Sequence, residues 1–320
     1  MSGFTGKLRA LVILDAALAA AIALGLLFSP KASSNRVASH DLLADAAAVQ
    51  SIRIDGAETV ELVKAGSTWT VAGADGPLPA DAARIASFTK AVDAVERLET
   101  VARDASSWKN FGLDGDSARS VAFLDAKGKT LCGFTLGNYS QAPGSVYLAL
   151  ARNPATYSAD SGMASYILGK RSSWLDLRAW TSPPAAESVQ GLTVRGSFER
   201  QDGSRVDADY AVTRSGAGWQ AAGVALDASR VDAMIRSLSA LRGEDYAPSA
   251  EAPAALALTV ELRLGNGGSM NLSVETRRAD GRYAAKSTQR DRRLYLPAWA
   301  LSEAVKPLPD LVVTAPPGTP

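Results

Sequence analysis

The residue types best suited to catalysis are scarce in this chain, which has one histidine, His40, and one cysteine, Cys132. A single histidine excludes His-based triads and multi-histidine metal sites within one chain. A single cysteine excludes an intramolecular disulfide. In Thr130-Leu131-Cys132-Gly133-Phe134-Thr135-Leu136, strand alternation puts Cys132, Phe134 and Leu136 on one face. That is a core pattern, and no His, Lys or Arg adjoins the thiol to lower its pKa. Gly265-Asn266-Gly267-Gly268 lacks the Lys and Ser/Thr of a phosphate-cradling loop, so it reads as a turn and ATP hydrolysis is not expected. Asp and Glu are numerous enough for a carboxylate-pair hydrolase. Asp114 and Asp116, however, stand in a glycine-containing turn, where Asp serves the backbone. The chain is expected not to be an enzyme, with no catalytic residue, no metal ligand and no cofactor.

Two sets of side chains could make contacts instead. Arg277, Arg278, Arg282, Lys286, Arg290, Arg292 and Arg293 form the one dense basic stretch, diluted by Asp280 and Asp291. Sharing a strand face, they could meet anionic lipid headgroups, a polyanionic envelope glycan or an acidic partner. They could equally be a solvated hairpin whose charges discourage edge pairing. Trp108, Phe111, Trp174 and Trp180 lie near expected loops or the domain boundary. There, aromatics anchor a partner or stack on sugar rings, or else plug gaps between elements. The candidate interaction residues are Trp108, Phe111, Trp174, Trp180, Arg277, Arg278 and Arg282. With 34 basic and 33 acidic residues and a net charge of +1, there is no global field to attract nucleic acid.

The elements that must position these residues come in two similar series. Val49-Gln50-Ser51-Ile52-Arg53-Ile54-Asp55-Gly56 is echoed by Val189-Gln190-Gly191-Leu192-Thr193-Val194-Arg195-Gly196. Trp69 recurs as Trp219, the amphipathic stretch from Asp81 as the one from Asp227, and Tyr147 as Tyr283, at offsets of 140, 150, 146 and 136 residues. Such drift is what loop insertions produce in a duplicated module.

Ahead of the first series, Leu11 to Phe28 is apolar or Ala/Gly apart from Asp15, and Lys7 and Arg9 precede it. At helical rise this run spans about 27 Å, close to a hydrocarbon core. Its Leu, Ile, Val and Phe residues each favour insertion by about 0.3 to 0.6 kcal/mol, against about 2.5 to 3.5 for a central Asp. Asp15 lies near one end, where the penalty is smaller. The weak positive-inside bias predicts a single-pass helix in the cytoplasmic membrane, amino terminus cytoplasmic and bulk of the chain extracytoplasmic. In a two-membrane bacterium that bulk is periplasmic. A cleaved signal peptide competes, but Ala32 and Ser34 after Pro30-Lys31 make a poor cleavage context.

Within each series, short alternating strands come first. An amphipathic helix follows, its stripe Ile85, Phe88, Val92, Val95 and Leu98 in one series and Val231, Met234, Leu238 and Leu241 in the other. A hairpin, Tyr-bearing strands and a short terminal helix complete the unit. The expected fold is α+β, an N-terminal transmembrane helix and two tandem repeats, each a mainly antiparallel sheet with one long packed helix. The expected divisions are a stub and anchor (1–28), a tether (29–48), the first repeat (49–180), a linker (181–188), the second repeat (189–312) and a disordered tail (313–320).

Thr68-Trp69-Thr70-Val71, the turn Phe111-Gly112-Leu113-Asp114, the segment Gly137 to Tyr147 and Ser173-Trp174-Leu175-Asp176, together with the apolar amino terminus, resemble the bacterial family called domain of unknown function 4340. The resemblance implies a membrane-anchored envelope protein, often encoded beside an ABC exporter and an auxiliary subunit of the gliding-motility type. It supplies no catalytic residues. The expected role is a non-enzymatic accessory or scaffold of an envelope ABC-type transport complex, with a permease or auxiliary subunit as partner. The alternative is a module binding an anionic glycan or lipid. The second series lacks a counterpart of Trp108 to Leu113, which places specificity on the first series or at the junction.

Overall fold

The computed structural model describes residues 36–37, 42–216 and 218–313. The expected membrane anchor, Leu11 to Phe28, and residues 314–320 of the expected tail lie outside the described residues. No described helix is long and apolar enough to cross a membrane. The fold is mixed α+β, with two antiparallel sheets and few helices.

The first half of the chain runs β1 (Arg36–Val37), β2 (Ser51–Asp55), β3 (Val60–Ala65), β4 (Thr68–Val71), β5 (Leu78–Pro79), α1 (Ala82–Asp93), β6 (Leu98–Ala102), α2 (Trp108–Phe111), β7 (Arg119–Leu124), β8 (Thr130–Tyr139), β9 (Ser145–Leu150), β10 (Thr156–Asp160) and α3 (Ala164–Ile167). The second half runs β11 (Val189–Glu199), β12 (Arg205–Asp207), β13 (Tyr210–Ser215), β14 (Gly218–Ala221), β15 (Val224–Leu226), α4 (Ala228–Ser239), β16 (Asp245–Tyr246), β17 (Leu256–Leu264), β18 (Ser269–Glu275), β19 (Arg282–Ser287), β20 (Leu294–Pro297) and α5 (Ala298–Ala304). These elements form two compact units. One takes in the described residues up to Ala65 together with Ala83–Gly169, and the other Gly66–Ala82 and the residues from Lys170 onward.

In the first unit the strand order is β1-β6-β10-β9-β8-β7-β2-β3, and in the second it is β15-β14-β13-β11-β17-β18-β19-β20-β16 with β12 beside β11. The run β3-β2-β7-β8-β9-β10-β6 therefore has the same order as β13-β11-β17-β18-β19-β20-β16. Register agrees too. Ile52 lies opposite Leu62 and Phe123 as Leu192 lies opposite Val212 and Leu262, and Leu148 faces Tyr157 as Ala285 faces Leu294. Alternation accounts for the cores, since Ile52, Ile54, Val121, Phe123, Phe134 and Leu136 are all buried on one face of a pleated sheet.

Both long helices lay their stripes on a sheet. Ile85, Phe88 and Val92 are buried on α1, where the Phe88 ring stacks on Phe123 at 5.5 Å. Val231, Met234, Ile235 and Leu238 are buried on α4. Asp227 caps α4 by accepting from the Ser229 and Arg230 amides at 3.0 and 3.3 Å, a cap that contributes about 0.5 to 2 kcal/mol. The apolar stripe predicts a longer α1, reaching Leu98. The helix instead ends at Asp93, and Leu98 opens β6, which pairs with β1 on one side and β10 on the other. Strand hydrogen bonds on both edges outweigh a helical pattern that β-branched Thr100 and Val101 already weaken.

Part of the expected tether is sheet: Arg36 pairs with Glu99 and Val37 with Leu98. The second sheet has a similar edge cover, the Gly243 amide donating to the Leu177 carbonyl and the Ala179 amide to the Leu241 carbonyl, each at 2.8 Å. A 3-10 turn, Ala46–Ala48, leads into β2 as another, Ala186–Ser188, leads into β11.

Candidate functional site

The four candidate aromatics separate into two pairs. Trp108 and Phe111 open and close α2, both half-buried. The Trp108 indole donates to the Pro154 carbonyl at 2.9 Å, and the Phe111 ring tilts on Tyr147 at 4.7 Å. Gly137 on β8 permits this close seat, because a Cβ there would sit 2.2 Å from the Phe111 carbonyl oxygen. Trp174 and Trp180, in contrast, are completely buried, and the Trp180 indole donates to the Leu238 carbonyl at the end of α4, at 2.7 Å. Both are packing residues that present nothing to a partner, and Trp180 belongs to the core of the second unit, where burial of so large a ring is strongly stabilising.

The basic stretch is engaged from within. Arg277 pairs with Glu199 at 3.4 Å, and Arg282 with Asp280 at 2.7 Å. Arg278 pairs with Glu251 and lies 3.7 Å from Asp280. Arg293 grips the buried Glu275 with both carboxylate oxygens, at 3.0 and 3.1 Å. Arg290 meets Asp176 at 2.7 Å, and Arg292 donates to the Asp75 carbonyl at 2.6 Å. The guanidinium groups of Arg282 and Arg278 also lie over the Tyr295 ring, 4.2 and 4.9 Å from its centre, and the Tyr295 hydroxyl donates to Glu251. Hydrogen bonding from Arg282 holds the Asp280 carboxyl below its usual range. Arg277, Arg278 and Arg282 therefore already carry carboxylates, as partly buried arginines must to offset desolvation.

Asp176 is also buried. Burial pushes its pKa up, but hydrogen bonds from Arg178 and Arg290 more than offset this and hold it below the ordinary carboxylate range. Arg178 contributes bonds of 2.8 and 3.0 Å, Arg290 one of 2.7 Å, and the Tyr246 hydroxyl donates to the Asp176 carbonyl at 2.8 Å.

The pattern-based reading also misses the hairpin at the start of the second half. Ile54 faces Val60 in the first half, whereas Val194 faces Tyr210 in the second. The intervening residues extend β11 into a hairpin with β12. At Gly196, φ is 115° and a Cβ would come within 2.1 Å of the Ala257 carbonyl oxygen, so the strands pinch there and then diverge. The divergence opens a groove of about 670 Å³ lined by Phe198, Glu199, Arg205, Leu256, Arg277 and Tyr283 among others. Tyr283 holds the hairpin in place. Its hydroxyl accepts from the Glu199 amide at 2.8 Å and donates to the Glu199 carbonyl at 2.7 Å. The available signal was the Asp202-Gly203 pair, a common hairpin turn.

The other chemical candidates resolve simply. Cys132 is buried, and burial pushes its thiol up to about 12, which leaves it protonated and unreactive at neutral pH. Asp114 and Asp116 are exposed in a turn whose Asp116 carbonyl accepts from Arg119 at 2.8 Å. Among the described residues, no three His, Cys, Asp or Glu side chains are grouped to hold a metal ion.

The family described as a domain of unknown function, DUF4340, matches residues 69–260, more than half of the 320-residue chain. The chain belongs to this family. No curated protein and no solved structure matches it. In this DUF4340 protein the matched stretch runs from β4 into β17 and includes α2, both buried tryptophans and the β11–β12 hairpin. Arg277, Arg278 and Arg282 lie beyond it.

Proposed function

We propose that this DUF4340 protein is a membrane-anchored, non-enzymatic accessory or scaffold of an envelope ABC-type transport complex. On this reading two tandem α+β repeats, products of a duplication, act through protein contacts outside the cytoplasm, while the Leu11 to Phe28 run anchors them. The anchor's role is positional: confinement beside a membrane partner raises the effective concentration of the repeats there. The observation that carries the reading is the shared strand order combined with the place where the halves differ. The first half adds α2 and the second adds the β11–β12 hairpin, so a common scaffold carries distinct surface elements. That is how binding specificity is commonly distributed over a fold.

An anionic glycan or lipid role for Arg277, Arg278 and Arg282 has against it the carboxylates they already hold. Affinity purification of the full chain from detergent-solubilised membranes tests the accessory reading. Recovery of a permease or auxiliary subunit supports it, and a preparation free of transporter components contradicts it.

A further inference from the structure

A second cleft, of about 650 Å³, opens in the first unit where β8 begins and β9 ends. Leu42, Leu131, Cys132 and Leu150 supply its apolar lining, and Lys129 and Arg152 stand among them as the cations. Among the described residues, no acidic side chain lines it. Neither cation has an ion-pair or side-chain hydrogen-bond partner among the described residues. The nearby Asp125 carboxylate accepts instead from the Lys127 and Lys129 backbone amides, at 2.8 and 2.9 Å.

Arg152 is also held in an uncommon conformation. Its φ is 64°, a left-handed value that a long side chain adopts only when its surroundings impose it. The imposition comes from Asn153, whose amide donates to the Leu150 carbonyl at 3.1 Å. Its side chain accepts from the Ala155 amide at 3.0 Å and donates to the Tyr157 hydroxyl at 2.8 Å.

The second half of the chain provides an internal comparison. The two 3-10 turns place Ser182 where the first half has Leu42. The matching bonds from Ala151 to Gly133 and from Thr288 to Asn271 place Gln289 where it has Arg152. That corner is closed by polar bonds: Gln289 Oε1 accepts from the Ser182 amide at 2.9 Å and from the Thr181 hydroxyl at 3.1 Å. One scaffold position is thus sealed in the second half, but open, with leucines and two cations in its lining, in the first.

From this contrast we infer that the first-half cleft binds an anionic amphiphile, an acyl chain lying along the leucines with its phosphate or carboxylate head between Lys129 and Arg152. If the proposed anchor holds the chain at the membrane, the setting suits such a ligand, since the cleft residue Leu42 follows Phe28 by 14 residues, a reach of at most about 50 Å. The inference is independent of the transporter reading, because its test measures lipid binding and not complex formation.

The test is native mass spectrometry of the full chain in detergent, titrated with phosphatidylglycerol, with oleate, with zwitterionic phosphatidylcholine and with inorganic phosphate. Lys129→Gln and Arg152→Asn, the latter chosen because Asn tolerates a left-handed φ, should each weaken the anionic amphiphile about fivefold, as loss of one cation predicts. Lys127→Gln, on the same turn but outside the cleft, should change nothing. Whether phosphatidylglycerol or oleate binds more tightly identifies the head group. Equal binding of phosphatidylcholine, or no response to the Lys129 and Arg152 variants, would overturn the inference. So would inorganic phosphate binding as tightly as the amphiphiles.

Discussion

Replacing Tyr283 by Phe removes one oxygen atom and two hydrogen bonds, both to the Glu199 backbone at 2.7 and 2.8 Å. The ring itself is 1% exposed, so its packing is retained and the change isolates the hydroxyl. Each bond is worth about 0.5 to 1.5 kcal/mol net, and the open groove lets water replace part of what is lost. The expected destabilisation is about 2 kcal/mol, or a fall of about 4 to 8 °C in melting temperature for a unit of this size. The effect should be local as well. Amide hydrogen exchange in residues 197–207 should accelerate strongly, while β17 and β18 keep their protection. Calorimetry and exchange mass spectrometry on the full chain would measure both. Unchanged melting together with unchanged exchange in the hairpin would refute the idea that Tyr283 holds it to the sheet.

Other outcomes follow from the same geometry. Asp176→Asn leaves Arg290, whose side chain is 6% exposed, without its charge partner and should destabilise by about 3 to 5 kcal/mol, measurable by urea titration. Because the folded-state pKa of Asp176 is lowered, its contribution is full above the unfolded-state value near 3.9 and is lost as pH falls through the folded value. Acid titration of wild type and Asp176→Asn should therefore converge at low pH. Gly137→Ala puts a Cβ against the Phe111 carbonyl and should lift α2 at a cost of about 1 to 3 kcal/mol, seen as faster exchange at Trp108–Phe111. Asp227→Ala removes the α4 cap and should lower stability by about 1 kcal/mol, read by the same denaturation assay.

What could be read in advance was whatever repeats over short distances. Alternation locates Ile52, Ile54, Phe123 and Phe134 in the core, and the three- and four-residue spacing of Ile85, Phe88 and Val92 locates a buried helix face. The end of α1 was not legible, because Leu98 suits either pattern and β6 is decided by partners at Arg36 and Ser158, far away in the chain. The partners of the arginines were not legible for a related reason. Arg290 finds Asp176 and Arg277 finds Glu199 across long loops, so a dense basic stretch in sequence becomes a set of closed ion pairs in space. Composition could not tell Trp174 and Trp180 from Trp108, since burial depends on which elements converge on each ring.

Site-specific photocrosslinking in intact membranes tests the scaffold account most directly, with the reactive group at Asn110 on α2 or at Gln201 on the β11–β12 hairpin, both exposed. The account predicts that crosslinks from at least one position capture a transporter permease or its auxiliary subunit, while a control at the exposed Lys127 captures neither. Crosslinks that capture no protein from either position, with the chain present in the membrane fraction, would contradict it.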